Sequence, residues 1–323
     1  MKNAKIIIIT SFILALCASF IIFKRITKPN KQARFRIGIL QTASHPALDA
    51  TRDGFIEELK NSLPGDVEFV IRNGEGSIPN IHTIAQQFHN DQSLNGIFAI
   101  ATPAAQAMAT VETTKPIFIA AVTDPNALGL IHPSTNVCGT KDMIDVHTEI
   151  DMLTALLPHA KTVGLLYNNG EINSVALVKI MRADLETRGL TTLDFAVSSE
   201  SDLPTAADIA FFKSDVVLAP TDNMVASSIS LLASLAEKNK KPLIVSDNML
   251  VKHGALAARG VDYKESGKQT AQIALQVLVQ GKKPYELPIE QAVSDKIYIN
   301  KKTVDTLGLH IPETLQEHVI FVE

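Results

Sequence analysis

The chain of 323 residues is 46% hydrophobic and 20% charged, with a formal net charge of −4. At about 150 residues per domain, this length accommodates about two domains with proper cores, which excludes a disordered chain, a collagen-like repeat and a disulfide mini-scaffold. The charge is spread, and no basic block, helix-turn-helix or RNA-binding signature accompanies it, so no nucleic-acid partner is expected.

Residues 1–5 are basic, residues 6–23 are apolar and uncharged, and Lys24, Arg25, Lys28 and Lys31 come next. Residues 1–33 are expected to form a hydrophobic helix serving as a signal peptide or membrane anchor. The run is just long enough to span a bilayer uncleaved. It also permits a cleaved signal ending near residues 15–19, or a lipoprotein signal acylated at Cys17, with Leu16 where such a box has a small residue. The positive charges after the run weigh against export of the remainder of the chain. Cys138 is the one cysteine beyond this segment, so no internal disulfide is expected.

From residue 35 the chain alternates strand and helix. FRIGILQ (35–41) is a β-prone run, and residues 46–63 repeat Leu48, Phe55, Ile56 and Leu59 at helical spacing. A strand over 67–71 precedes a helix over 80–90 with Ile81, Ile84, Ala85 and Phe88 inward. GIFAIA (96–101) is a strand, 104–112 a helix and PIFIAAV (116–122) a strand. After 136–142 the pattern restarts: helix 146–157, strand 163–167, helix 174–188, strand 215–219, helix 224–239 and strand 242–246. A weak strand over 254–258 and a long helix over 264–280 end the series. Near-continuous apolar strands between amphipathic helices indicate parallel sheets covered on both faces. Two such series indicate an α/β chain of two doubly wound parallel-sheet lobes. The expected division is 34–141 plus 251–285 for the first lobe and 142–250 plus 286–323 for the second.

In doubly wound sheets, ligands bind beyond the carboxyl ends of the strands. Gln41, Thr102, Thr123-Asp124, Asn168, Asp222 and Asp247 stand at such ends. Thr102-Pro103 reads as a cap followed by proline in the first helical turn. The N–H groups of Ala104, Ala105 and Gln106 would then attract an anion such as a carboxylate. Asn173 or Ser174 opens the corresponding helix of the second lobe. Asp222 and Asp247 are placed to receive an ammonium group. The plainer alternatives are a helix cap for Thr102 and Asp222, a turn residue for Asp247 and a structural turn at 123–125.

Enzyme motifs are absent: no GxGxxG follows a strand, and there is no Walker A, HExxH or GxSxG. His82 and His89 lie seven apart on one helix without a third ligand, so no metal or cofactor is expected. Ser44-His45-Pro46 reads as a helix start rather than a reactive pair, and Cys138 as a buried small residue.

The segments 39–50, 101–107, 121–125, 166–168 with Glu171 and Asn173-Ser174, 220–223, 254–257 and 260–269 resemble, in order and spacing, the ABC-transporter substrate-binding proteins of the tryptophan/tyrosine-binding type. The resemblance runs from about residue 34 to 312. Ser44, Cys138 and Asn169 depart from its usual residues. It implies a type I periplasmic-binding-protein fold whose lobes, joined by three crossovers near 123–142, 246–251 and 284–294, close on a small ligand. It assigns Thr102, Ala104 and Gln106 to the ligand carboxylate and Asp222 and Asp247 to its ammonium. Gln41, Asn168, Asn173 and Ser174 would line the cleft.

The expectation is thus an extracytoplasmic, monomeric solute-binding component of an ABC importer. Its ligand would be an amino acid, aromatic or apolar, passed to an ABC permease, and its membrane contact the N-terminal segment. A membrane-anchored ligand sensor and an enzyme on a similar scaffold are the alternatives.

Overall fold

Apolar runs form central strands and amphipathic stretches cover them. The computed structural model describes residues 34–292, 296–316 and 319–323, so the N-terminal signal or anchor segment lies outside the described residues. The first series comprises β1 (Phe35–Gln41), α1 (Pro46–Ser62), β2 (Val67–Asn73), α2 (Ile78–Asn90), β3 (Gly96–Ile100), α3 (Thr102–Val111), β4 (Ile117–Val122) and β5 (Val137–Lys141). The second comprises α4 (Val146–Leu156), β6 (Thr162–Asn168), α5 (Ile172–Thr187), β7 (Thr191–Val197), α6 (Leu203–Lys213), β8 (Val216–Ala219), α7 (Asn223–Ser227), α8 (Ile229–Asn239), β9 (Leu243–Val245) and β10 (Ala257–Arg259). The last elements are α9 (Tyr263–Leu278), β11 (Ile289–Gln291), β12 (Ile297–Asn300), α10 (Lys301–Leu307), α11 (Glu313–Gln316) and β13 (Val319–Val322).

The first sheet runs β2-β1-β3-β4-β5-β11, and the second β7-β6-β8-β9-β10-β12-β13. All pairs are parallel except β10 with β12. In both sheets the order of strand addition reverses after the second strand laid down, which sets a crevice between β1 and β3 and another between β6 and β8. The central strands β3, β4 and β8 are buried along their whole length.

Several boundaries differ from the sequence expectation. β10 pairs with β9 and β12 in the second sheet, while β11 pairs with β5 in the first. The first lobe thus takes residues 35–141 with 263–291, and the second 146–259 with 297–316 and 319–323. The chain crosses between them at 141–146, 259–263 and 291–297, so the second crossover lies later than residues 246–251; residues 293–295 of the third are outside the described ones. Backbone pairing decides membership here, and three-residue strands carry too little pattern to announce it. β7 was not anticipated because it is an edge strand with one of its seven residues buried. The long helix expected over 224–239 is two, joined at Ser228.

The first core centres on Phe55, whose ring stacks on Phe98 at 4.0 Å between centroids. Burying such a ring contributes about 2–3 kcal/mol. α9 returns from the second lobe to lie on α1, where two glycines permit unusually close backbone approach. A Cβ on Gly54 would lie 2.2 Å from the Lys264 carbonyl oxygen, and one on Gly267 2.1 Å from that of Thr51. Thr140 Oγ1 lies 2.9 Å from both Ser266 Oγ and Thr270 Oγ1, which ties α9 to β5 as well. Cys138 is buried in the same lobe, and burial pushes its thiol up to about 12.

Candidate functional site

The carboxyl ends of the two sheets' strands meet around a narrow, largely enclosed cavity. The first lobe supplies His45, Ala47 and Leu48 from the start of α1, Ala101 and Thr102 after β3, and Ala121 in β4. The second supplies Asn173 from α5, the turn 220–223 after β8, Ala226, Asp247 and Leu250. Asp142 and Tyr263 enter from the first two crossovers. Ala101 (φ +75°) and Ala121 (φ +55°) hold a conformation that disfavours a side chain. Each costs about 1–3 kcal/mol, and such strain persists where the surroundings impose it, typically at binding sites.

Thr102 is the first residue of α3 and Ala101 its cap position, so Thr102 does not cap the helix as expected. Its Oγ1 accepts instead from the Thr123 N–H at 3.4 Å. The Ala104 N–H donates to Thr42 Oγ1 at 3.2 Å and the Ala105 N–H to the Ala101 carbonyl at 3.0 Å. Gln106 is exposed and borders a separate surface groove with Thr110 and Glu112. Of the α3 residues expected to hold an anion, the structure brings Thr102 to the cavity.

Gln41 is buried but turned inside its own lobe, donating to the Ala43 carbonyl and to Asp49, both at 2.8 Å. Asp124 accepts from the N–H groups of Asn126 and Ala127 and shapes its turn. Thr123 is buried, and its hydroxyl lies beside Asp142.

In the second lobe, Asp222 Oδ1 accepts from the Val225 N–H at 3.0 Å and so caps α7. Its Oδ2 accepts from the Asn168 N–H at 2.6 Å and from Ser174 Oγ at 2.7 Å. Both oxygens are thus engaged within the lobe. Asn173 Nδ2 donates to the Thr221 carbonyl at 2.9 Å, which leaves Oδ1 buried without a partner. Asn168 borders an outer groove between the lobes rather than the cavity.

The acidic wall is formed by Asp142, Asp247 and Tyr263. The Tyr263 hydroxyl donates to Asp142 Oδ2 at 3.0 Å, and Asp142 Oδ1 is buried without a partner. Asp247 Oδ1 accepts from the Met249 N–H at 2.8 Å. Burial pushes Asp142 up to about 6 and Asp247 up to about 7, the latter also through the Asp142 charge. Burial and both carboxylates raise the Tyr263 hydroxyl well above its ordinary range. Sequence reasoning found Asp247 but missed Asp142, because β5, the strand it ends, has no long apolar run. Read as a strand, β5 would have put Asp142 in the same class of strand-end residues.

The lobes are closed on one another. His45 Nε2 of the first lobe lies 3.2 Å from Asn223 Oδ1 of the second, and Met249 packs against the first lobe's core. Asn223 donates through Nδ2 and its backbone N–H to Glu171. Glu171 is pushed up to about 7, first by burial and then by the Asp222 charge.

Glu149 in α4 is buried, with neither carboxyl oxygen hydrogen-bonded. Burial pushes it from 4.5 up to about 8, opposed by the neighbouring Ser246 hydroxyl. At neutral pH the folded protein holds a proton here that the unfolded chain has released. The associated stability is complete below about pH 4.5 and is lost as pH rises through about 8. Glu149→Gln is therefore expected to flatten the pH dependence of unfolding across that window and to raise stability at pH 8 by on the order of 2–4 kcal/mol. Thermal unfolding of both proteins at pH 5, 6.5 and 8 checks this; parallel curves would refute it.

Among the described residues, no His, Cys, Asp or Glu cluster is arranged to hold a metal ion, and no helix is long and apolar enough to cross a membrane.

The family model described as ABC transporter substrate binding protein matches residues 36–320. A tyrosine-binding protein of Clostridioides difficile (strain R20291) is 32% identical over 289 residues, covering 87% of this chain and 83% of its own. The ABC domain from Streptococcus pneumonia in complex with L-Trp superposes with a TM-score of 0.85 at 32% identity, over 90% of this chain and 100% of that one. The ligand-free, open structure of a substrate-binding protein with adhesive properties from Clostridium difficile gives 0.66 at 33% identity, over 90% and 99%. The two structures are alike in identity and coverage and differ in how well they superpose on this chain. The fold is the type I periplasmic-binding-protein fold.

Proposed function

We propose, from the premise that this chain belongs to the ABC transporter substrate-binding protein family, that it is an extracytoplasmic binding protein closing on an aromatic amino acid for delivery to an ABC permease. The carrying observation is the pair Asp142 and Asp247. Both face a closed cavity whose lining contains no Lys or Arg. Among the described residues neither is ion-paired, and a buried carboxylate without a counter-charge is unfavourable. A ligand ammonium is the cation that fits, and the unpartnered Asp142 Oδ1 offers it an acceptor. This moves the ammonium role from Asp222, whose oxygens are engaged, to Asp142 beside Asp247.

The ligand carboxylate has two helix starts to face, at Thr102 in α3 and Asn173 in α5, one from each lobe. Helix N-termini favour negative charge. Leu48, Ala101, Ala121, Ala226, Leu250 and Pro220 give the cavity an apolar part of its lining for the ligand side chain. The tyrosine-binding relative and the L-Trp complex support this ligand class. The better superposition on the L-Trp complex than on the open form matches a closed arrangement of these lobes.

Calorimetric titration and thermal shift with the common amino acids, nucleosides and organic acids test this reading. Tyr or Trp in 100-fold excess over its dissociation constant is expected to stabilise the protein by about 2.7 kcal/mol. A shift with nucleosides or acids lacking an ammonium, and none with aromatic amino acids, would overturn the ligand assignment.

A further inference from the structure

We infer that His45 selects among ligands, favouring those whose side chain carries a hydrogen-bond donor, as a phenol or an indole does, over those that lack one. This rests on the amino-acid reading of the cavity and extends it to the far end of the ligand.

The ring is 7% exposed and lines the cavity. Its two nitrogens have separate neighbours. Nε2 lies 3.2 Å from Asn223 Oδ1. The Asn223 amide is oriented by its Nδ2, which donates to Glu171 Oε2, so Oδ1 is an acceptor. Nε2 therefore carries the proton, and Nδ1 presents a lone pair. That Nδ1 is buried without a partner, and His45 makes no capping bond to its own helix although it stands at the α1 cap position. Burial lowers the ring to about 4, against weaker opposing effects of the Asn223 bond and the Asp49 charge, so the imidazole is neutral at physiological pH. A neutral Nε2–H tautomer is a hydrogen-bond acceptor at Nδ1.

The acceptor enters the cavity from the start of α1 in the first lobe, whereas Asp142 and Tyr263 enter from the crossovers and Asp247 follows β9 of the second. With the ammonium at the acidic wall, Nδ1 is left for a donor elsewhere on the ligand. A buried acceptor that a ligand leaves unpaired discriminates against that ligand more strongly than an apolar contact can.

His45→Gln separates the two nitrogens' roles. Its amide N–H can replace Nε2 as donor to Asn223, but it offers no acceptor in the place of Nδ1. Dissociation constants for Tyr, Trp and Phe are measured by calorimetry on wild type and variant, with circular dichroism confirming that both fold. The wild type is expected to prefer Tyr or Trp over Phe by about 10-fold or more. In the variant the favoured ligand loses about tenfold more than Phe does, so the preference collapses. Equal losses for all three ligands would reduce His45 to a lobe-closing role and overturn the inference, as would a wild type without preference. Failure of the wild type to bind any of the three would instead overturn the amino-acid reading itself.

Discussion

Asp142→Asn is expected to weaken amino-acid binding by about 30-fold or more while leaving the ligand-free protein at least as stable. A charge-assisted hydrogen bond is worth roughly 1.5–3 kcal/mol, which is about 10- to 150-fold in affinity. The asparagine keeps an acceptor for the Tyr263 hydroxyl, now 3.0 Å from Asp142 Oδ2, so the crossover contact persists. It removes the negative charge that an ammonium would meet at the unpartnered Oδ1. Without ligand that charge is a burden, as the upward displacement of the carboxyl to about 6 by burial shows. Calorimetry and thermal unfolding together decide the matter. A fall in stability without ligand, matched by the same fall with it, would mark Asp142 as a structural residue only.

Gly267→Ala is expected to destabilise the first lobe by about 3 kcal/mol or more. The added Cβ would lie 2.1 Å from the Thr51 carbonyl oxygen, 2.9 Å from its carbon and 3.0 Å from the Phe55 nitrogen. These are backbone atoms of α1, so no rotamer change relieves the clash, and α1 and α9 must separate. Separation would loosen Phe55 from Phe98 and shift Tyr263 at the head of α9, which carries the bond to Asp142. Ligand affinity should therefore fall along with stability. Denaturant unfolding measures the loss, and a midpoint within error of wild type would show that the two helices can part at little cost.

The central strands were legible because each is a buried apolar run. GIFAI and IFIAAV are read correctly without any partner in view. The edge strands β7 and β11 were not, since they carry no such run, and β13 was not because its apolar run VIFV is only four residues long and partly exposed. The rule that ligands meet strand ends found Thr102, Asp222 and Asp247, all of which border the cavity. It could not separate Asp222 from Asp247. Both are acidic residues after a strand, yet one has its oxygens engaged by Val225, Asn168 and Ser174 while the other faces the cavity beside Asp142.

Local pattern in the chain was enough to specify two doubly wound lobes and a site built from their polar strand ends. Hydrophobic periodicity declares each strand and helix within its own few residues. Long-range packing was needed to bring Asp142 to the same wall as Asp247, 105 residues later in the chain. Packing also set the reach of His45 to Asn223 across the lobes and the return of α9 to α1 through Gly54 and Gly267. Those relations depend on backbone placement over long separations, and so do burial and charge at each site, because both are set by neighbours distant in the chain.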